Sequence, residues 1–441
     1  MLKIPLRPPR AALRLCAAVV AALATAHLLA QPTTLAFDDA LRLAEQRSRQ
    51  LPAQQASASA AREMAVAASR LPDPALKLGL NNLPIDGPDA FSTTRDFMTM
   101  RSVGLMQEFT SSDKRHARAA RFEREAAVAE ARRALALASL RRETALAWLD
   151  RLYIDRTREL LKSQRSESAL QIDAAEAAYR GGRGAQADIF AARSMVARID
   201  DRIRQMEQQG LAAQAKLSRW VGPEAALPLG AAPQLSSLAF DAGSDAVLWQ
   251  RHPQVALMAE QETVALAEAE VARSSKRTDW SAELMYNQRG SSYSNMVSIN
   301  FSIPLQLDQA HRQDRELGAK LALAEQAREL QEEALREAVA DARAWAGEWR
   351  ILRDRLAHYD ATLNPLARER TQAAIAAYRG GGGPLAAVLE ARRMEIETQL
   401  ERLGVEREAA GLWARLETLL PPQVEDTAPS ERTASKQEQQ P

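Results

Sequence analysis

The sequence predicts an α+β fold, mostly α, in which long antiparallel coiled-coil helices are joined to four short β-strands in each chain. Three observations predict it. The order of elements is written twice along the chain, two stretches of about 65 residues contain almost no glycine or proline, and short segments of apolar/polar alternation come in pairs.

The chain of 441 residues is rich in alanine and poor in aromatics, with 58 basic against 57 acidic residues. A formal net charge of +1 leaves no basic excess to neutralise phosphates, so nucleic acid is not an expected partner. Lys3, Arg7, Arg10 and Arg14 precede an apolar run from Leu15 to Ala26 and then small residues, the pattern of a secretory signal peptide over residues 1–30. Cleavage falls after Ala26 or after Ala30, and a simple membrane anchor is the alternative. Cys16, the only cysteine, leaves with the signal, which removes disulfides, cysteine zinc sites and cysteine nucleophiles. No later segment has the roughly 18 apolar residues of a membrane helix, so a crossing would have to use strands of a closed barrel.

The repeat fixes the plan. Ala177-Ala178-Tyr179-Arg180-Gly181-Gly182-Arg183-Gly184 recurs without a gap as Ala376-Ala377-Tyr378-Arg379-Gly380-Gly381-Gly382-Gly383. Asp39-Ala40-Leu41 matches Asp245-Ala246-Val247, Asp73 matches Asp279, and Val103-Gly104-Leu105 matches Ile299-Asn300-Phe301. The first repeat spans 31–222, with helices, a hairpin at 75–109, a long helix at 111–179, a turn at 180–184 and a helix at 185–221. The second spans 223–420, with helices, a hairpin at 280–305, a long helix at 307–378, a turn at 379–384 and a helix at 385–420. The tail 421–441, rich in Pro, Gln, Ser and charge, is expected to be disordered.

Within the hairpins, Leu76, Leu78 and Leu80 alternate with Lys77, Gly79 and Asn81, and Val103 and Leu105 continue the scheme in the second strand. Trp280, Ala282, Leu284 and Tyr286 do so in the third strand, and Val297, Ile299, Phe301 and Ile303 in the fourth. Pro304 marks the end of the fourth strand, where a missing donor is tolerated. The long helices carry narrow apolar seams, Leu146, Leu149, Tyr153 and Leu160 in the first and Leu352, Leu356, Tyr359, Leu363 and Leu366 in the second. Arg and Glu fill the other faces as solvated charge. Glycine at 181, 182 and 184, and at 380, 381 and 383, permits the backbone angles that reverse a long helix.

Four strands cannot close a membrane barrel, since the smallest use eight. Three copies would supply twelve strands, with polar faces toward a water-filled lumen, apolar faces toward lipid, and the paired helices extending the cylinder as an α-helical tunnel.

This order of strand, strand, helix, turn and helix, with Tyr179-Arg180-Gly181-Gly182, Tyr378-Arg379-Gly380-Gly381 and Gln107-Glu108-Phe109, resembles the TolC family of outer-membrane efflux factors from about Thr34 to Leu420. Leu71-Pro72-Asp73-Pro74, Asn81-Asn82-Leu83-Pro84, the run from Met98-Thr99-Met100 to Gln107-Glu108-Phe109, and Lys114-Arg115 are similar to its heavy-metal, CzcC-like branch. The resemblance implies a homotrimer with a twelve-stranded barrel in outer-membrane lipid and a helical tunnel in the periplasm. It further implies a periplasmic adaptor, an inner-membrane pump of the resistance-nodulation-division type, no cofactor and no catalysis. No P-loop, Gly-x-Ser-x-Gly elbow or His-Glu-x-x-His motif points to an enzyme. A periplasmic coiled-coil adaptor is the rival reading, and it would carry one hairpin where this chain carries a doubled plan.

The resemblance makes Arg180, Gly181, Gly182, Gly184, Arg379, Gly380, Gly381 and Gly383 the tips where an adaptor docks and where the aperture closes. Two acids of the family's aperture fall on Ala387 and Glu390, leaving either a ring of three Glu390 carboxylates with Asp188 nearby or a solvated surface pair. Met98, Met100 and Met106 share the parity opposite to Val103 and Leu105. They are either a lumen path of thioethers for soft cations such as Cu(I) or flexible packing. His116 and His311 read as polar residues at helix starts. Metal against organic cargo is left open by these residues.

Overall fold

A computed structural model describes residues 34–238 and 249–420. The signal peptide, Cys16, Asp245 and the tail from 421 lie outside the described residues. In chain order the elements are α1 (Phe37–Arg47), α2 (Gln50–Ala68), β1 (Ala75–Asn81), β2 (Met100–Phe109), α3 (Ser112–Arg180) and α4 (Gln186–Val221). They continue with α5 (Pro253–Ser274), β3 (Trp280–Gln288), β4 (Met296–Ser302), α6 (Gln313–His358), α7 (Asn364–Arg379) and α8 (Leu385–Glu417). The fold is mostly helical with one small antiparallel sheet. No helix among the described residues is long and apolar enough to cross a membrane.

The chain divides into two compact units, and each draws on both repeats. The first takes residues up to Arg47, Glu143–Ser236 and Arg355–Gly411. Its core is built from thin seams, as helices with little apolar surface require. Leu161 of α3, Ile199 and Ile203 of α4 and Ile396 of α8 pack together, and Ala175, Leu385 and Val388 form a second cluster near the turns. Trp148 is wholly buried, donates its indole N–H to the Leu35 carbonyl at 3.2 Å and meets Phe37 edge-on.

The long helices differ between repeats. α3 runs 69 residues without interruption, on a sequence free of glycine and proline. Its partner starts at Gln313, not at 307, because residues 303–312 form an irregular connector. It is then broken by a π-turn at Tyr359–Leu363, in which the Asn364 N–H bonds the Tyr359 carbonyl five residues back. Pro365 explains the position: its ring has no N–H and would collide with a carbonyl one α-turn earlier. The extra residue in that turn rotates the face that follows. Leu366, expected on the seam, is exposed, while Asn364 and Thr371 are buried in its stead.

The second unit takes Ser48–Arg142, Ser237–Asp354 and the residues from Leu412. Trp249, Ala342 and Leu419 form a core with Leu335, Val339 and Trp345 around them. Its sheet has the order β1-β2-β3-β4, antiparallel throughout. Leu76 pairs with Leu105, Leu105 with Leu284, and Leu284 with Ile299. One register therefore keeps every apolar position on one face. Where the strands meet the helices, the buried Lys114 ammonium bonds Asp279 at 2.7 Å and Asp279 also accepts the Ser111 N–H.

Candidate functional site

The sheet is inside out. Leu76, Leu78, Leu80, Val103, Leu105, Trp280, Leu284, Tyr286, Val297, Ile299 and Phe301 share one face and are all exposed, Leu78 at 75% and Phe301 at 67%. The opposite face carries Ser102 and Asn287, which are 6% and 4% exposed. A water-soluble sheet buries the first kind of residue and wets the second. A contiguous apolar face of this size marks a surface covered by something other than water.

The polar face is ordered by hydrogen bonds that step across all four strands. Asn81 Nδ2 donates to Ser102 Oγ at 2.7 Å, the Ser102 hydroxyl donates to Asn287 Oδ1 at 2.7 Å, and Asn287 Nδ2 donates to Ser298 Oγ at 2.9 Å. One level lower, Lys77 of β1 reaches Glu283 of β3 at 2.7 Å. Between them β2 offers Gly104, where a Cβ would stand 2.6 Å from Met285 Cγ and 2.8 Å from the Leu284 carbonyl. A side chain at 104 has no room. The alternation marks Lys77, Asn81 and Ser298 as polar-face positions, but nothing in the sequence links them to Ser102, Glu283 or Asn287, although Asn81 and Asn287 are separated by the same offset as Asp73 and Asp279.

Among the methionines, Met100 and Met106 lie on this polar face, in register with Asn81 and with Glu283. Met98 stands outside β2, exposed in the loop, its amide bonded to Asp96. Met100 and Met106 are six residues apart on one strand, roughly 20 Å, so they cannot ligate one ion together. Among the described residues no group of three or more His, Cys, Asp and Glu is placed to hold a metal ion. His116 is exposed in the second turn of α3, and His311 sits in the connector, 2.6 Å from Asp308.

The two turns have the same construction. Arg180 ends α3, Gly182 adopts φ +69°, and the amides of Gly182 and Arg183 return to the carbonyls of Tyr179 and Ala178. Arg379 ends α7, Gly381 adopts φ +74°, and the amides of Gly381 and Gly382 return to Tyr378 and Ala377. Both are αL-terminated helix ends of the Schellman type, which glycine enters without strain. Gly184 and Gly383 serve a close approach: a Cβ there would lie 3.1 Å from Ala178 Cβ and 3.3 Å from Ala377 Cβ. Gly181 and Gly380 precede the αL residue in each turn, Gly380 at ordinary helical angles.

The two acids near the turns are engaged locally. The Asp188 carboxylate accepts the Ala185 N–H at 3.2 Å and so caps α4. Glu390 is exposed and chelated by Arg393 at 2.8 and 3.1 Å, and the guanidinium holds its carboxyl below the usual range. Further along the first unit, Arg402 of α8 grips Asp360 of the π-turn with two N–H groups, at 2.6 and 3.1 Å, and donates to Glu406 at 2.6 Å. Those bonds depress the Asp360 carboxyl and raise the Arg402 guanidinium. Glu406 also accepts from Tyr153 and Arg156, and burial, then the nearby Glu406 charge, push the Tyr153 phenol up.

No protein-family model matches the chain, and no curated protein sequence does. Solved structures do match. The outer-membrane channel OprN superposes with a TM-score of 0.71 at 17% identity, over 88% of this chain and 90% of that one. The outer membrane protein VceC from Vibrio cholerae gives 0.70 at 16%, over 87% and 95%. CusC, whose structures describe folding and transmembrane channel formation, gives 0.72 at 15%, over 86% and 91%. The chain shares the fold of these proteins along nearly their whole length.

Proposed function

We propose that this chain is one of three identical subunits of an outer-membrane channel, the exit duct of a tripartite efflux system with a periplasmic adaptor and an inner-membrane pump of the resistance-nodulation-division type. The inside-out sheet carries the reading. Each large apolar side chain moved from water to hydrocarbon gains roughly 1.5–3 kcal/mol, so eleven on one face are worth on the order of 20 kcal/mol per copy in a bilayer. The same face in water favours aggregation. Four strands leave the edges of β1 and β4 unpaired, which lipid does not tolerate, and three copies remove both edges. The likeness in fold to three membrane proteins, two of them described as channels, supports this reading over a coiled-coil adaptor, which needs no such sheet.

In this reading the duct does no chemistry and the pump supplies the energy. The turns at Arg180–Gly184 and Arg379–Gly383 are the ends that meet the adaptor and close the aperture, with Glu390 and Asp188 on the helices beside them. Heavy-metal cations are the proposed cargo, on the strength of the short motifs from Leu71-Pro72-Asp73-Pro74 to Lys114-Arg115. Met100 and Met106 lie too far apart on β2 to share an ion, and cations would pass along the polar face.

Two measurements test the proposal. The protein should fractionate with the outer membrane, migrate as a heat-dissociable trimer and conduct in planar bilayers. Its deletion should sensitise cells to some of Cu, Ag, Zn, Co and Cd but not to common drugs. Sensitisation to drugs alone removes the metal assignment and keeps the channel. A water-soluble monomer without β signal removes the channel as well.

A further inference from the structure

We infer that the polar ladder does not stop at the edges of the sheet but runs from copy to copy, the Ser298 hydroxyl of one subunit donating to Asn81 Oδ1 of the next, and closes a ring of twelve hydrogen-bonded side chains. The inference rests on the trimeric reading above and specifies how the edges of β1 and β4 meet.

The ladder alternates amide and hydroxyl, and every link within the chain runs in one donor direction. It ends at each edge with an unused group. Asn81 gives its Nδ2 to Ser102, and its Oδ1 has no partner among the described residues. Ser298 accepts from Asn287, and its own proton has no acceptor among them. A free acceptor on β1 and a free donor on β4 are what the next link requires.

The repeat supplies the geometry of that link. Leu76 pairs with Leu105, and their repeat counterparts Ala282 and Phe301 pair with each other, so the two hairpins have the same internal register. The hairpins are joined within the chain at β2 and β3, where Ser102 lies directly opposite Asn287 and bonds it. The counterparts of Ser102 and Asn287 are Ser298 and Asn81. A closure that repeats the β2–β3 junction at β4 and the neighbouring β1 therefore sets Ser298 beside Asn81 and forms the same bond. It also lays Leu80 and Leu78 next to Ile299 and Phe301, apolar against apolar on one face. Buried amide–hydroxyl networks of this kind fix register, because a slip of one residue sends every side chain to the wrong face and a slip of four leaves the polar groups unpaired.

The test uses full-length protein carrying Cys16→Ser. Asn81→Cys with Ser298→Cys should oxidise to a covalent trimer that survives boiling in detergent without reductant, and Asn81→Cys with Ser302→Cys should not. A double-mutant cycle guards against loss of assembly in the cysteine pair. Asn81→Ala and Ser298→Ala should each lower the temperature at which the trimer dissociates by several degrees, and the double variant should lose clearly less than the sum of the two, because the link between them is counted in both single variants while the bonds to Ser102 and Asn287 are lost independently. Trimers that cross-link through 81 and 302, or fully additive losses, overturn the ring while leaving the trimer intact. Wild-type protein that is monomeric in detergent overturns the trimer itself.

Discussion

Asp188 and Ala387 occupy matching places in the first turn of α4 and of α8, and the residue three positions earlier explains why only one is acidic. Ala185 has an N–H to be satisfied, and the Asp188 carboxylate accepts it. Its counterpart, Pro384, has none, so an acid at 387 would find no donor to receive. The sequence alone leaves Asp188 and Glu390 between an aperture ring and a surface pair. The structure gives each a local partner, a backbone amide for one and Arg393 for the other. The capping account predicts unequal results for two exchanges. A cap of this kind is worth about 1 kcal/mol, so Asp188→Ala should speed hydrogen exchange of the Ala185 amide about fivefold. Ala387→Asp should slow the first-turn amides of α8 by much less, through the helix dipole alone. Equal and opposite effects would contradict the capping role.

At the scale of elements, the helices were legible because alanine, leucine, arginine and glutamate run for tens of residues without a break. The π-turn was not. Pro365 alone is compatible with a kink, a first-turn position or a helix end, and the choice is made by Asp360 and Arg402, which come together only after the chain has turned back at Gly381. The Leu366 error follows from the same cause, since a seam counted in steps of three and four slips when one turn holds an extra residue. The Asp360–Arg402 pair has a testable pH signature. The folded-state pKa of Asp360 is lowered, so its contribution is present above the ordinary carboxylate range and is lost as pH falls below about 4. Arg402 stays charged throughout. The difference between wild type and Asp360→Asn in thermal unfolding should therefore be a few degrees at pH 7 and shrink progressively as pH falls below the ordinary carboxylate range. The pair is partly exposed, which keeps its worth to about 1 kcal/mol at most. A gap that persists unchanged at pH 3 would assign the effect to packing.

For the molecule as a whole, period-two alternation in four short segments was enough to predict strands with one apolar and one polar face, and their number is what leads to the proposal of more than one copy. The hairpin boundary erred at Ile303, Pro304 and Leu305, where alternation outlasts the strand: β4 ends at Ser302, paired with Ser281, and Pro304 has no N–H with which to carry the ladder on. The division into two compact units could not be read, since each unit joins segments of both repeats that lie far apart in sequence. Nor could the ladder: serine and asparagine on a strand are common, and only the register shows that Asn81, Ser102, Asn287 and Ser298 touch. The central claim is that the apolar face meets lipid and the polar face meets water. Spin labels placed one at a time from Ile299 to Ser302, in protein reconstituted into bilayers, test it most directly. Ile299 and Phe301 should be accessible to oxygen and shielded from a water-soluble nickel complex, with Asn300 and Ser302 the reverse. Labels that are all accessible to the nickel complex, with no alternation, would contradict the account.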